Sequence, residues 1–145
     1  MEDRHQQPGE DLTQLITSLQ RTRDALKERV KELGCLYGIT RLAQREDLDA
    51  GELARGVAEE LRRSWQYPEL ACARVVAEGR EHRTPGYRET PWAQSAPVVV
   101  GGEEAGLVEV RYLSPCPERD EGPFLAEERH LIDAVADLLG QIIRT

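Results

Sequence analysis

Along the first third of the chain the apolar residues keep a heptad beat. Leu12, Ile16, Leu19, Leu26, Val30, Leu33 and Tyr37 recur at spacings that alternate between four and three residues, and Arg23 fills the one position of the series that is not apolar. Charged residues flank the series, among them Asp24, Lys27, Glu28, Arg29, Lys31 and Glu32. This pattern predicts a long helix from near Asp11 or Leu12 towards Gln44, with a narrow apolar seam. Such a helix is poorly stable alone in water, because helical stability comes mostly from packing. The seam therefore predicts a partner helix. Residues 1–10 carry no such period and read as a disordered tail.

The pattern then changes twice. After a turn over residues 45–49, Asp49 with Glu52 three positions on forms a capping-box signature, and Leu53, Val57 and Leu61 mark one helical face. Pro68 disfavours helical geometry in the residue before it, so this helix should end by Tyr67. From Leu70 the residue types suit strands. Residues 71–79 (ACARVVAEG) and 80–89 (REHRTPGYRE) predict one hairpin. Residues 96–113 predict a second, turning at Gly101 and Gly102, with Val108, Val110 and Tyr112 on one face and Glu109 and Arg111 on the other. Residues 114–124 (SPCPERDEGPF) read as a loop. The closing stretch carries two adjacent apolar rows, Leu131, Val135, Leu138, Ile142 beside Ile132, Ala136, Leu139, Ile143, which predicts a helix with a wide buried stripe. The whole is an α+β pattern: an antiparallel sheet with N- and C-terminal helices packed on one face, preceded by a long coiled-coil helix.

Composition narrows the functional classes. A formal charge of -8 works against general binding to a phosphate backbone, so neither DNA nor RNA is expected as a partner. No apolar run is long enough to span a bilayer, and the polar start MEDRHQQPGE does not resemble a secretory signal, so we expect a cytoplasmic protein that does not enter membranes. Cys35, Cys72 and Cys116 are odd in number and widely spaced, which suits reduced thiols better than a disulfide framework or a zinc site.

Taken in order, LYGITRLAQ (36–44), the helix LDAGELARGVAEEL, the hairpin APVVVGGEEAGLVEV (96–110) and FLAEERHLIDAVADLLGQII (124–143) resemble a GAF domain. Pro97 and Gly106 match the proline and glycine of the family's hairpin. Phe124, Glu127 and Glu128 match the opening of its last helix. The resemblance covers about residues 34–145, and the heptad helix over residues 11–44 resembles the signalling helix that joins sensor domains to kinases and regulators. It implies a sensor or regulatory role in signal transduction. Only residues 83–95 stand where ligand-binding relatives place lid helices, so a deep enclosed pocket is not expected.

The candidate chemistry is sparse. One subclass of the family, the free methionine sulfoxide reductases, uses cysteines, but Cys35 and Cys72 lie on apolar elements and Cys116 is followed by acidic residues, settings that disfavour thiolate. The structural reading of all three is favoured. His5, His82 and His130 have no metal-ligand spacing, so no metal site and no cofactor are expected. Asp49, Glu52, Glu127 and Glu128 suit helix starts. Arg83, Tyr87, Arg88 and Trp92, with His82 beside them and Arg74 on the preceding strand, are the residue types that grip an anionic ligand or a partner, and they form the tentative ligand site. The alternative is that Tyr87 and Trp92 cover the sheet in place of lid helices.

These observations lead to one expectation with two rivals. The first is a non-enzymatic GAF-like module that homodimerises through Leu12, Ile16, Leu19, Arg23, Leu26, Val30, Leu33 and Tyr37 together with Leu131, Val135, Leu138 and Ile142, and passes a signal to a partner protein or output domain. The second is a small-molecule sensor with its pocket over the sheet, and the third a thiol-based reductase. Apolar stripes of this kind serve parallel and antiparallel assemblies alike.

Overall fold

The computed structural model describes residues 8–144; of the tail expected over residues 1–10, residues 1–7 lie outside the described residues and residues 8–10 are helical. Three helices and one four-stranded antiparallel sheet follow the order α1 (Pro8–Ala43), α2 (Ala50–Ser64), β1 (Ala71–Ala77), β2 (Arg80–Arg83), β3 (Ala93–Val100), β4 (Glu103–Tyr112) and α3 (Ala126–Arg144). The chain divides into two units, Met1–Lys31 and Glu32–Thr145. In its described residues the first unit is helix alone, and it begins at Pro8, a turn before the expected start. Threonine hydroxyls bond back to the carbonyls of that extra turn and the next: Thr13 to Gly9 at 2.7 Å and Thr17 to Thr13 at 2.9 Å.

The second unit holds the sheet, in the order β2-β1-β4-β3. Its two central strands pair along their length, Ala71 with Tyr112 through Ala77 with Gly106. Gly101 and Gly102 both take positive φ, 61° and 82°, which lets two residues reverse the chain between β3 and β4. Gly106 is fixed by crowding instead: a Cβ there would lie 2.1 Å from the Val76 carbonyl oxygen.

Strand alternation sends Ala73, Val75, Ala96, Val98, Val108, Val110 and Tyr112 to one side of the sheet, where all are buried with residues of α2 and α3. α2 lies against β1 and β2, and α3 against β3 and β4. α2 starts on the expected capping box, with the Glu52 amide donating to Asp49 Oδ1 at 2.8 Å and the Asp49 amide to Glu52 Oε1 at 3.2 Å. Such a cap contributes about 1 kcal/mol. The last turns of α1 also belong to this unit: Cys35 and Ile39 are buried in the core, Gly38 backs onto the Glu60 carboxylate, and Gly56 of α2 receives Leu42.

Two strand boundaries differ from expectation. The return strand β2 stops at Arg83 rather than continuing to residue 89, because Thr84 and Tyr87 close a turn around Pro85 and Gly86, the Tyr87 amide donating to the Thr84 carbonyl at 3.1 Å. β3 begins at Ala93, three residues early. Its polar residue Gln94 points into the core, where the Trp65 indole N–H donates to Gln94 Oε1 at 3.0 Å. A glutamine on the buried face hid the apolar alternation of that strand.

Candidate functional site

Two surfaces carry the residues singled out from the sequence. The first is the seam of α1. Leu12, Leu15, Ile16, Leu19, Leu26 and Val30 are between 46% and 68% exposed, and Leu33 and Tyr37 of the second unit are 62% and 64% exposed. Large apolar side chains left open in one row demand a cover. Set on the heptad, Ile16, Arg23, Val30 and Tyr37 take one core position and Leu12, Leu19, Leu26 and Leu33 the other. Ile16 and Val30 are β-branched, and branched residues at the first position with leucine at the second are the combination that favours two parallel strands. Arg23 turns aside to Asp24, 3.1 Å away, and both side chains are about two-thirds exposed.

The α3 residues expected at the same interface are placed otherwise. Leu131 and Val135 are buried in the protein's own core. Leu138 is half-buried against that core, and Ile142 lines a cavity of about 520 Å³ that it shares with Leu48, Leu53 and Ile143, with Arg45 and Glu78 also in its wall. The wide stripe of α3 is thus spent largely within one chain. Its two rows meet the sheet together, so neither is left as a free seam.

The second surface is the side of the sheet that faces away from the helices. At its centre is Glu109 of β4, only 5% exposed. Tyr87 Oη donates to Glu109 Oε1 at 2.7 Å, Arg111 Nη2 lies 2.7 Å from Oε2, and Arg74 Nη1 is 3.7 Å from Oε1. Arg74 Nε also pairs with Glu81, which Arg83 Nε reaches at 3.2 Å, and the Arg83 guanidinium stacks 4.9 Å over the Tyr87 ring. Arg111 binds the Thr90 carbonyl, and Arg88 Nη2 donates to the Leu113 carbonyl at 2.8 Å. The segment after β2 is pinned to this side by Thr84, whose hydroxyl accepts the Ala73 amide at 2.9 Å, and by Thr90, whose hydroxyl donates to the Tyr112 carbonyl at 2.7 Å.

The electrostatics follow from this packing. The bond from Arg74, then that from Arg83, holds the Glu81 carboxyl below the usual carboxylate range. Burial, aided by the bond to Glu109, pushes the Tyr87 phenol up, so it stays a donor at neutral pH. Burial works against the Arg111 charge, but Glu109 and Tyr87 more than offset it and raise its pKa.

Of the six residues proposed for a ligand site, the fold brings Arg74, Arg83 and Tyr87 into one network, with Arg88 held separately. His82 and Trp92 are corrections. His82 pairs with Val75, a core position, so it is on the helix-facing side of β2, and Trp92 packs half-buried against the core. Strand alternation separates His82 from Arg83. Glu109, which organises the network, was read only as an outward-facing strand residue. The available signal was its position between Val108 and Val110 in a strand with a partner on either side, where an outward side chain is still crowded.

None of the three thiols is poised as thiolate. Burial pushes Cys35 up to about 11, against a hydrogen bond to Ser64. Burial also raises Cys72, which is fully enclosed beside the Arg88 backbone, and Cys116, where Glu69 adds to the effect. Among the described residues no group of three or more His, Cys, Asp and Glu could hold a metal ion, and no helix is long and apolar enough to cross a membrane. No protein-family model, curated protein or solved structure matches the chain.

Proposed function

We propose that this protein is a dimerising regulatory module whose working surface is the seam of α1 over residues 12–37. More narrowly, it is a cytoplasmic, non-enzymatic GAF-like signalling domain: two copies pair in parallel through α1, and a small change in the packing of that pair passes to a partner protein or output domain. The observation that carries this reading is the row of seven large apolar side chains, Leu12, Ile16, Leu19, Leu26, Val30, Leu33 and Tyr37, all exposed on one chain with Leu15 beside them. Covering each recovers about 1 kcal/mol. That is enough in sum to offset association costs, which is why the seam and not the sheet carries the argument. A ligand on the polar side of the sheet would first have to displace the bonds that already satisfy Glu109.

Sedimentation equilibrium tests the reading. At micromolar concentration the chain should have twice its 16.3 kDa mass, and replacing Leu19 and Leu26 together by glutamate should return it to one chain with the sheet domain still folded. A wild-type protein that stays monomeric to high concentration would refute the homodimer.

A further inference from the structure

The residues flanking the seam have a one-sided charge. In a parallel pair the positions beside the core that face the other helix are Thr13, Gln20 and Lys27 on one flank and Leu15, Thr22 and Arg29 on the other. None is acidic. The carboxylates of this stretch, Asp11, Asp24, Glu28 and Glu32, all fall on the outer positions, where Asp24 holds Arg23 at 3.1 Å and Glu28 holds Lys31 at 2.9 Å. A chain with formal charge -8 therefore presents only cations along its pairing face, with one of them, Arg23, in the core row.

Two copies of this helix cannot neutralise that face. In register they set Arg23 against Arg23, and Lys27 meets Thr22. From this charge complementarity we infer that the seam is built for a heterotypic partner: a parallel heptad helix, apolar in its core positions, that carries Asp or Glu opposite Arg23 and on the flank facing Lys27. The inference rests on the seam reading above and names the partner to which the homodimer gives way. Exchange is the natural mode of signalling for such a surface. The homodimer covers the apolar row, and the acidic helix covers it and adds attraction at Arg23 and Lys27.

The test uses the full chain and two labelled synthetic heptad peptides with the same apolar core. One carries Glu opposite Arg23 and Lys27, the other Lys at the same places, and fluorescence anisotropy is read at physiological ionic strength beside sedimentation of the protein alone. The acidic peptide should bind about tenfold more tightly than the basic one, a preference that two attractions in place of two repulsions can supply. The preference should vanish in an Arg23→Leu, Lys27→Gln variant, whose changes are on the exposed helix and leave the sheet domain untouched. Equal binding of both peptides by a protein that is itself dimeric would overturn the acidic-partner inference and leave the seam for a second copy. A monomeric protein that binds neither peptide would overturn the seam reading along with it.

Discussion

Replacing Arg23 by leucine should tighten the α1 pair, and the size of the effect can be worked out from what the side chain now does. Its present partner is Asp24 at 3.1 Å, with the two side chains 64% and 65% exposed, so the ion pair it would lose is worth well under about 1 kcal/mol. In a parallel pair two guanidiniums about 6 Å apart repel by about 0.7 kcal/mol at the dielectric constant of water and about 3 kcal/mol at an effective value of 20. Relief of that repulsion is one gain. The other is burial of two leucines, about 1.5 kcal/mol each, reduced because the arginine stems already cover part of the same surface. The net is about 3 kcal/mol per dimer, or about a hundredfold in Kd. Sedimentation equilibrium measures it directly, and thermal melting at several protein concentrations gives an independent reading, since only a dimer has a concentration-dependent Tm. An unchanged Kd, or a Tm that stays level or falls, would show that Arg23 does not sit in the seam and that the heptad assignment is wrong.

Other substitutions test the sheet domain. Gly106→Ala forces a Cβ to within 2.1 Å of the Val76 carbonyl, which only movement of β1 against β4 can relieve; urea unfolding should show a loss of about 3 kcal/mol, and a loss under about 0.5 kcal/mol would refute the crowding. Tyr112→Phe should be neutral or slightly stabilising, because Tyr112 Oη is buried with no partner in hydrogen-bond geometry among the described residues, and a large fall in the urea midpoint would reveal a bond that geometry does not. Glu121 is held below the usual carboxylate range first by its bond to Arg129, so its contribution to stability is complete above the unfolded carboxyl pKa and is lost as pH falls through the folded one. Between about pH 7 and about pH 3 the Glu121→Gln protein should therefore lose less stability than the wild type, and an identical loss in both would remove Glu121 from the acid response.

Much of the fold was legible because it follows from local chemistry. Asp49 and Glu52 announce the start of α2, Gly101 and Gly102 announce the β3–β4 turn, and five of the eight residues in the apolar rows of the last helix are buried, the other three, Leu138, Ile142 and Ile143, packing part-buried against the core. The candidate site was less legible because it depends on pairing phase. Nothing in the order His82, Arg83 tells which of the two faces the helices; the pairing of β2 with β1 decides it, and it sends Arg83 outward and His82 in. Glu109 shows the same limit. A carboxylate on an outward position reads as solvated until the strand is known to be central and the next segment is known to bring Tyr87 over it. The hidden start of β3 has a third cause: Gln94 can be buried because Trp65, 29 residues earlier, and Glu121, 27 residues later, supply its hydrogen bonds.

The distribution of charge gives the two associations of the seam opposite responses to salt. Residues 1–31 carry six acidic and six basic side chains, so the whole formal charge of -8 belongs to the residues that follow. A homodimer brings two such units together and sets Arg23 against Arg23, and every one of those interactions is repulsive. Screening them should lower the homodimer Kd as salt is added. The acidic helix is held by attraction at Arg23 and Lys27, which the same screening weakens, the Debye length being about 8 Å at physiological ionic strength. Its Kd should rise. Salt added to a mixture of the protein and the acidic peptide should therefore shift the population from peptide complex to homodimer. A parallel rise or fall of both constants would mean that charge does not decide which helix occupies the seam, and that the apolar row alone does.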